Sequence, residues 1–295
     1  MMAKRKIIAD REGGTVADRE LKTEPEGSDD EDFDTLNVEF EWFDPIAEID
    51  FHGVKSLLQQ LFDVDAHMID LSALTDLILS QPLLGSTVKV DGKETDAYAF
   101  LSVINLQAHQ EKPYIRALIT YLRSKASSNP ALSTLAELLS QTPMPAIGLV
   151  LTERLINVPA EVVPPMYTML LEEIQWALEE KEPYHFSHYL ILSKTYTEIA
   201  SALDEEDDRP KKKKKAARQA PQTLYFHPED EIWQRHALCY GGYNYSTQQD
   251  DGLSDSKRAF QELGIRPQSH AILIEAPKFE GAVRDVQECL APPTG

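Results

Sequence analysis

Cysteine is nearly missing from this chain: Cys239 and Cys289 are the only two in 295 residues. Two thiols so far apart can neither staple a disulfide framework nor build a zinc site, so the fold must rest on an apolar core. Positive charge is short as well. Lys and Arg number 29 against 49 Asp and Glu, a formal net charge of -20 at pH 7. Such a field repels phosphate backbones and anionic lipid and draws in basic proteins over a Debye length of about 8 Å at physiological salt. Direct binding to nucleic acid or membrane is therefore not expected, whereas a basic partner is; solubility is the other use of the same charge. No apolar run approaches the roughly 20 residues of a membrane-spanning helix and no apolar leader core is present, which points to a soluble protein in a reducing intracellular compartment.

The glycine signatures of several chemistries are also missing. There is no GxSxG elbow, no GxxxxGK[ST] phosphate loop and no GxGxxG fingerprint. Gly241-Gly242 is the one glycine pair in the part expected to fold, and it lacks the lysine or helix start that a phosphate needs. His185 and His188 have HxxH spacing, but on a strand that spacing sends the two rings to opposite faces. Asp44, Asp50, Asp63 and Asp65 lie close in sequence, where turn and capping roles account for them more simply than acid–base chemistry. His52 and His227 stand at an element start and before Pro228, positions for local hydrogen bonds. No catalytic, cofactor or metal residue is expected, and nothing in the chain requires an enzyme.

What is present is patterned apolar sequence. A folded chain of this size buries roughly 70 to 75% of its unfolded surface. Leu36, Val38, Phe40 and Trp42 alternate with polar residues as a strand, Asp44-Pro45 stops it, and Asp50 is placed to cap a helix whose stripe is Val54, Leu57, Leu58 and Leu61. A second helix carries Leu71, Leu74, Leu77 and Ile78 and ends at Pro82. Ser86 to Val90 reads as a strand, Asp91-Gly92 as a type I′ hairpin turn, and Tyr98 to Leu106 as its partner, with Tyr98, Phe100 and Ile104 on one face and Leu101 and Val103 on the other.

Pro113 opens a helix through Ile115, Leu118 and Leu122 to Arg123 and Lys125, and a short helix follows over Leu132, Leu135, Leu138 and Leu139. Ala146 to Ile156 is a buried strand. Pro164-Pro165 opens a long helix with Tyr167, Leu170, Leu171, Ile174 and Leu178, and Pro183 ends it before the strand Phe186 to Tyr196. Leu224 to Phe226 is a short strand, Arg235 to Tyr245 a bent or bulged one, Thr247 to Ser256 a polar loop, Ala271 to Glu275 a last strand, and Phe279, Val283, Val286 and Leu290 a closing helix. Interleaved strands and helices predict an α/β fold, a single mixed sheet flanked by helices.

Two stretches cannot bury enough surface to order. Residues 1–34 and residues 204–222 are expected to be a disordered tail and a disordered charged linker around an α/β domain made of 35–203 and 223–291. Each holds a basic cluster, Lys4-Arg5-Lys6 and Lys211 to Lys215 (Lys211, Lys212, Lys213, Lys214, Lys215), that suits an acidic import receptor and equally suits a solvated end.

The segments NVEFEWFDP, DFHGVKSLLQQLF, LILSQP, FSHYLILSKTY and LYFHPEDE resemble the BCCIP/Bcp family, from the opening strand to beyond the linker. The resemblance implies an acetyltransferase-like (GNAT-like) sheet without a coenzyme A site; no convincing [QR]xxGx[GA] pyrophosphate turn is found here. It implies a nuclear protein shuttling with the cytoplasm, a chaperone and import escort for a basic large-subunit ribosomal protein in 60S assembly. It further implies nuclear transport receptors as partners and a phosphatidylinositol-phosphate kinase as cargo. A divergent acetyltransferase is the alternative. The expected partner surface combines Glu39, Glu41, Phe43 and Asp44 with the acidic run Asp29, Asp30, Glu31 and Asp32, because a large apolar group beside carboxylates can anchor a basic protein. A helix covering that side of the sheet would bury Phe43 instead.

Overall fold

The computed structural model describes residues 38–81, 83–198, 223–246 and 265–291. Its centre is β3 (Ala99–Asn105), β4 (Ile147–Arg154) and β5 (His188–Glu198), whose apolar residues occupy both faces, as strands covered on both sides require. Around them, β1 (Glu41–Phe43), β2 (Ser86–Lys89), β6 (Thr223–Tyr225), β7 (Ala237–Tyr243) and β8 (Ile265–Glu275) complete one sheet in the order β1-β2-β3-β4-β5-β8-β7, with β6 attached to β5. Every pairing is antiparallel except β4 with β5. The fold is thus a mixed α/β sheet flanked by helices.

One face is covered by α1 (Ala47–Phe62), α2 (Leu71–Leu79), α3 (Pro113–Ser127) and α4 (Ser133–Leu138). Val54, Leu58, Leu74, Ile115 and Leu118 pack there against Phe100, Ile104, Leu149 and Leu190. The other face is covered by α5 (Val163–Glu179), α6 (Asp230–His236) and α7 (Ala276–Leu290). Tyr167, Trp233, Phe279 and Tyr189 form an aromatic stack there, with the Tyr189 and Phe279 ring centroids 3.9 Å apart.

Several expectations are corrected. Among the described residues the opening strand holds only Glu41–Phe43: β2 ends at Lys89, and Asp91 and Gly92 then take φ of 61° and 93°, so residues 38–40 have no ladder to join, while residues 36 and 37 lie outside the described residues. Those positive angles do turn the chain, but the connection to β3 runs from Val90 to Tyr98 and is no two-residue hairpin. Tyr98 packs on the side of Leu101 and Val103, opposite Phe100. Asp50 is not a cap. It lies inside α1, fully buried, accepting a hydrogen bond from Ile46 N at 2.7 Å and pairing with the equally buried Lys89 at 2.7 Å.

Lys125 stands in the last turn of α3 as the spacing places it, but it is buried there against Asp65 at 2.8 Å, and Asp65 also accepts from the Tyr121 hydroxyl and from Ser246 N. Residues 230–236 are helical, and the strand begins only after them. Its bulge falls at Leu238, not at the glycines. The stripes of α1, α2, α3, α5 and α7 are buried where the spacing places them. The tail over 1–34, the linker over 204–222 and the loop over 247–256 lie outside the described residues.

Candidate functional site

The expected partner surface begins at the outer edge of the sheet. Glu39 and Asp44 are exposed there, and Glu41 and Phe43 are half-buried. Trp42 turns to the α5 side, where its indole N–H donates to Val162 O at 3.2 Å. Phe43 turns to the other side, its ring centroid 6.0 Å from the Lys89 ammonium, which Asp50 and Lys93 O hold in place at 2.7 Å each. The structure brings Glu39, Glu41, Phe43 and Asp44 together on one short edge. Asp29 to Asp32, Lys4 to Lys6 and Lys211 to Lys215 lie outside the described residues.

A second place is one the sequence did not show. In open sheets, ligands favour the crevice beyond the carboxyl ends of neighbouring strands. β4 and β5 are parallel only from Ile147–Val150 and His188–Ile191, and then part. β8 occupies the whole far edge of β5, so β6, which pairs Thr195 to Thr197, must lie on the β4 edge, inside that gap.

Below β6 the gap is sealed by charge. Glu153 meets Lys194 at 2.7 Å and His227 at 3.2 Å, and Arg154 grips Glu229 with both guanidinium nitrogens. Lys194 also donates to Gln60 O at 3.2 Å and faces the Phe226 ring at 4.4 Å. Burial works to raise the Glu153 carboxyl, but His227 and Lys194 outweigh it and hold it below its usual range. Beside it Ser193 Oγ donates to Asp230 at 2.5 Å, and burial pushes the Asp230 carboxyl up to about 7, with Glu229 adding to that and His227 and Arg154 opposing. His270, buried on β8, is held down to about 4 by desolvation.

What remains open is a shallow cleft of about 390 Å³ between β6 and the segment after β4, walled by Leu155, Ile156, Leu224 and Phe226 with Arg154 and His227 at its floor. Arg154 at that floor already holds Glu229, and the Glu153 carboxylate beneath it already meets Lys194, so the charges there are taken up. The helix that follows β4 opens Val163-Pro164-Pro165, and proline has no N–H, so two of the amides that would cradle a phosphate are gone.

His227 makes the expected local bond, its carbonyl accepting from Asp230 N at 3.1 Å, and in addition its buried ring sets Nε2 3.2 Å from the Glu153 carboxylate. The signal that could have found it was a charged residue inside an apolar strand: Lys194 within YLILSKTY and Glu153 within GLVLTER. His185 is exposed and His188 contacts Ser187 Oγ at 2.9 Å; among the described residues no group of three His, Cys, Asp or Glu could hold a metal. Nor is any helix among them long and apolar enough to cross a membrane.

Comparison with known proteins gives a consistent result. The BCCIP family model matches residues 35–233. Protein bcp1 of Emericella nidulans is 63% identical over 292 residues, covering 99% of both chains. Protein bcp1 of Schizosaccharomyces pombe is 48% identical over 261 residues, covering 87% of this chain and 91% of the relative. The crystal structure of BCP1 from Saccharomyces cerevisiae superposes with a TM-score of 0.60 at 28% identity, over 89% of this chain and 93% of that one. By its family match, its relatives and its fold, the chain belongs to the BCCIP family.

Proposed function

We propose that this chain is a non-enzymatic acidic binding protein, an escort for a basic large-subunit ribosomal protein that supports its nuclear import and 60S ribosome assembly. The escort shuttles between nucleus and cytoplasm with nuclear transport receptors as partners, and a phosphatidylinositol-phosphate kinase is a further cargo. The fold we read as GNAT-like: the strand order, with a single parallel pair between β4 and β5, supports that assignment. The observation that carries the function is β6 lying in the gap of that pair over ion pairs that already satisfy one another. A transferase would need that crevice open and its floor free.

The charge supports the same reading. A free ribosomal protein is basic and drawn to any RNA, and an acidic chain of net charge -20 can mask it. The exposed carboxylates Glu39 and Asp44 beside Glu41 and Phe43 remain the proposed contact at the sheet edge, extended by Asp29 to Asp32. Lys4 to Lys6 and Lys211 to Lys215 are the proposed import signals. A tagged full-length chain, incubated with nuclease-treated nuclear extract and washed at moderate salt, tests the reading. It should retain one basic large-subunit ribosomal protein in stoichiometric amount; its absence from the bound fraction contradicts the reading.

The second reading is a divergent acetyltransferase, favoured by the strand order alone. Thermal stabilisation by acetyl-coenzyme A separates the two. A rise in Tm supports the enzyme, and no rise supports the escort.

A further inference from the structure

Helix α5 turns a tryptophan away from the core. Its buried stripe is Tyr167, Leu170, Ile174 and Ala177, whereas Trp176 stands 44% exposed on the opposite side. Around it, at i−4, i+3 and i+4, are Glu172, Glu179 and Glu180, all exposed and all on the same helix face. Lys, Arg and His are absent from α5, and none of these three glutamates meets a cation among the described residues; Glu179 accepts only from the Gln175 amide. Glu173 belongs to another set: it is buried and accepts from Gly85 N at 2.8 Å.

Two features make this face costly for the free protein. The last carbonyls of a helix carry partial negative charge, so Glu179 and Glu180 stand where cations are favoured and anions are not. Exposed indole, the side chain most often found anchoring protein partners, is left in water. Two of these last carbonyl groups are satisfied by Lys181, whose N–H bonds Leu178 O with φ at 64°, and by Glu182, whose N–H bonds Ala177 O. Among the described residues no ion pair offsets the three carboxylates, and a local rule broken without such a gain marks a surface that an outside group completes.

The group that fits is cationic. An arginine guanidinium can lie on the indole face while its N–H fork reaches a carboxylate, and neighbouring lysines or arginines meet the other glutamates. We propose that Trp176, with Glu172, Glu179 and Glu180, is a docking face on α5 for an arginine- and lysine-rich segment of the basic client. The identity of the client rests on the function proposed above; the cationic chemistry of the occupant rests on the face itself.

A titration of the full chain with a synthetic arginine-glycine repeat peptide, followed by calorimetry and by tryptophan fluorescence, tests it. Trp233 is fully buried and the Trp42 indole is tied to Val162 O, so Trp176 is the indole the peptide can reach. Wild type should bind with a fluorescence change, and Trp176→Phe should lose that change while keeping most of the affinity. Trp176→Ala and the triple variant E172Q/E179Q/E180Q should each bind on the order of tenfold more weakly. Because the helix end loses like charge, the triple variant should also melt slightly higher than wild type, so weaker binding cannot be ascribed to unfolding. Equal peptide affinity in wild type and triple variant overturns the face, as does no binding to wild type.

The same variants in the nuclear pull-down separate this claim from the function. Client retained equally by wild type and the triple variant removes α5 from the footprint and leaves the escort reading standing. If wild type retains no basic ribosomal protein, the escort reading fails, and the peptide titration alone decides the face.

Discussion

Lys194 Nζ stands 2.7 Å from Glu153 Oε2 across the gap where β4 and β5 part, with both side chains nearly or fully buried. The pair ties the two strands together at the level where they no longer share hydrogen bonds. Removing one partner leaves a buried charge, which typically costs about 3–5 kcal/mol. Lys194→Met should therefore lower stability by about 3 kcal/mol in urea unfolding, and the double variant E153L/K194M should recover much of the loss. Because E153L also takes away the carboxylate that His227 Nε2 meets at 3.2 Å, recovery is expected to be partial.

Two buried groups titrate in opposite senses. His270 is held down to about 4 from 6.5, so between these values the unfolded chain takes up a proton the folded one refuses, and stability falls as pH drops through that window. Asp230 is pushed up to about 7 from 3.8, so the folded chain keeps a proton that the unfolded one loses. Its stabilising share is present at low pH and is lost as pH rises through about 7, by roughly 1.4 kcal/mol per unit. Asp230→Asn abolishes only the second effect. Against wild type the variant should be more stable near pH 7, with the advantage shrinking towards about pH 4; parallel stability curves for the two proteins contradict the assignment.

Gly241 sits where a Cβ would come 2.8 Å from Asn129 Nδ2. That amide cannot simply swing away, because it donates to Gly242 O at 2.8 Å while its oxygen accepts from Ala131 N at 2.9 Å. Gly241→Ala should cost roughly 1–3 kcal/mol by overpacking. Asn129→Ala should lose about 1 kcal/mol of hydrogen bonding and make the two changes less than additive. Chemical unfolding of the two single variants and the double checks this.

Much of this architecture was legible because hydropathy repeats report it directly. Val54, Leu57, Leu58 and Leu61 mark the inner face of α1, and the strands with apolar residues on both faces proved to be the central ones. Charged residues inside the same elements carry no comparable report. Lys89 with Asp50, Lys125 with Asp65 and Lys194 with Glu153 are buried through partners far away in sequence, a pairing no local period reveals. The parting of β4 and β5 and its filling by β6 are consequences of pairing and carry no sequence signal. Trp176, which the sequence reading passed over, stands off the α5 stripe by helical spacing alone.

Acetyl-coenzyme A should leave the protein's Tm unchanged. Pro164 and Pro165 remove amides at the start of α5, and β6 takes the space beside β5. A reproducible, concentration-dependent rise in Tm contradicts this, since a ligand that binds only the folded state must stabilise it.

The proposed escort stands on masking a basic client from RNA by the acidic chain. The most direct measurement mixes the purified ribosomal protein recovered in the pull-down with equimolar full-length chain and follows light scattering and transfer to added RNA. A soluble stoichiometric complex should form that resists RNA at physiological salt and loosens as salt rises. A client that aggregates or moves to RNA as fast with the chain as without it contradicts the escort role.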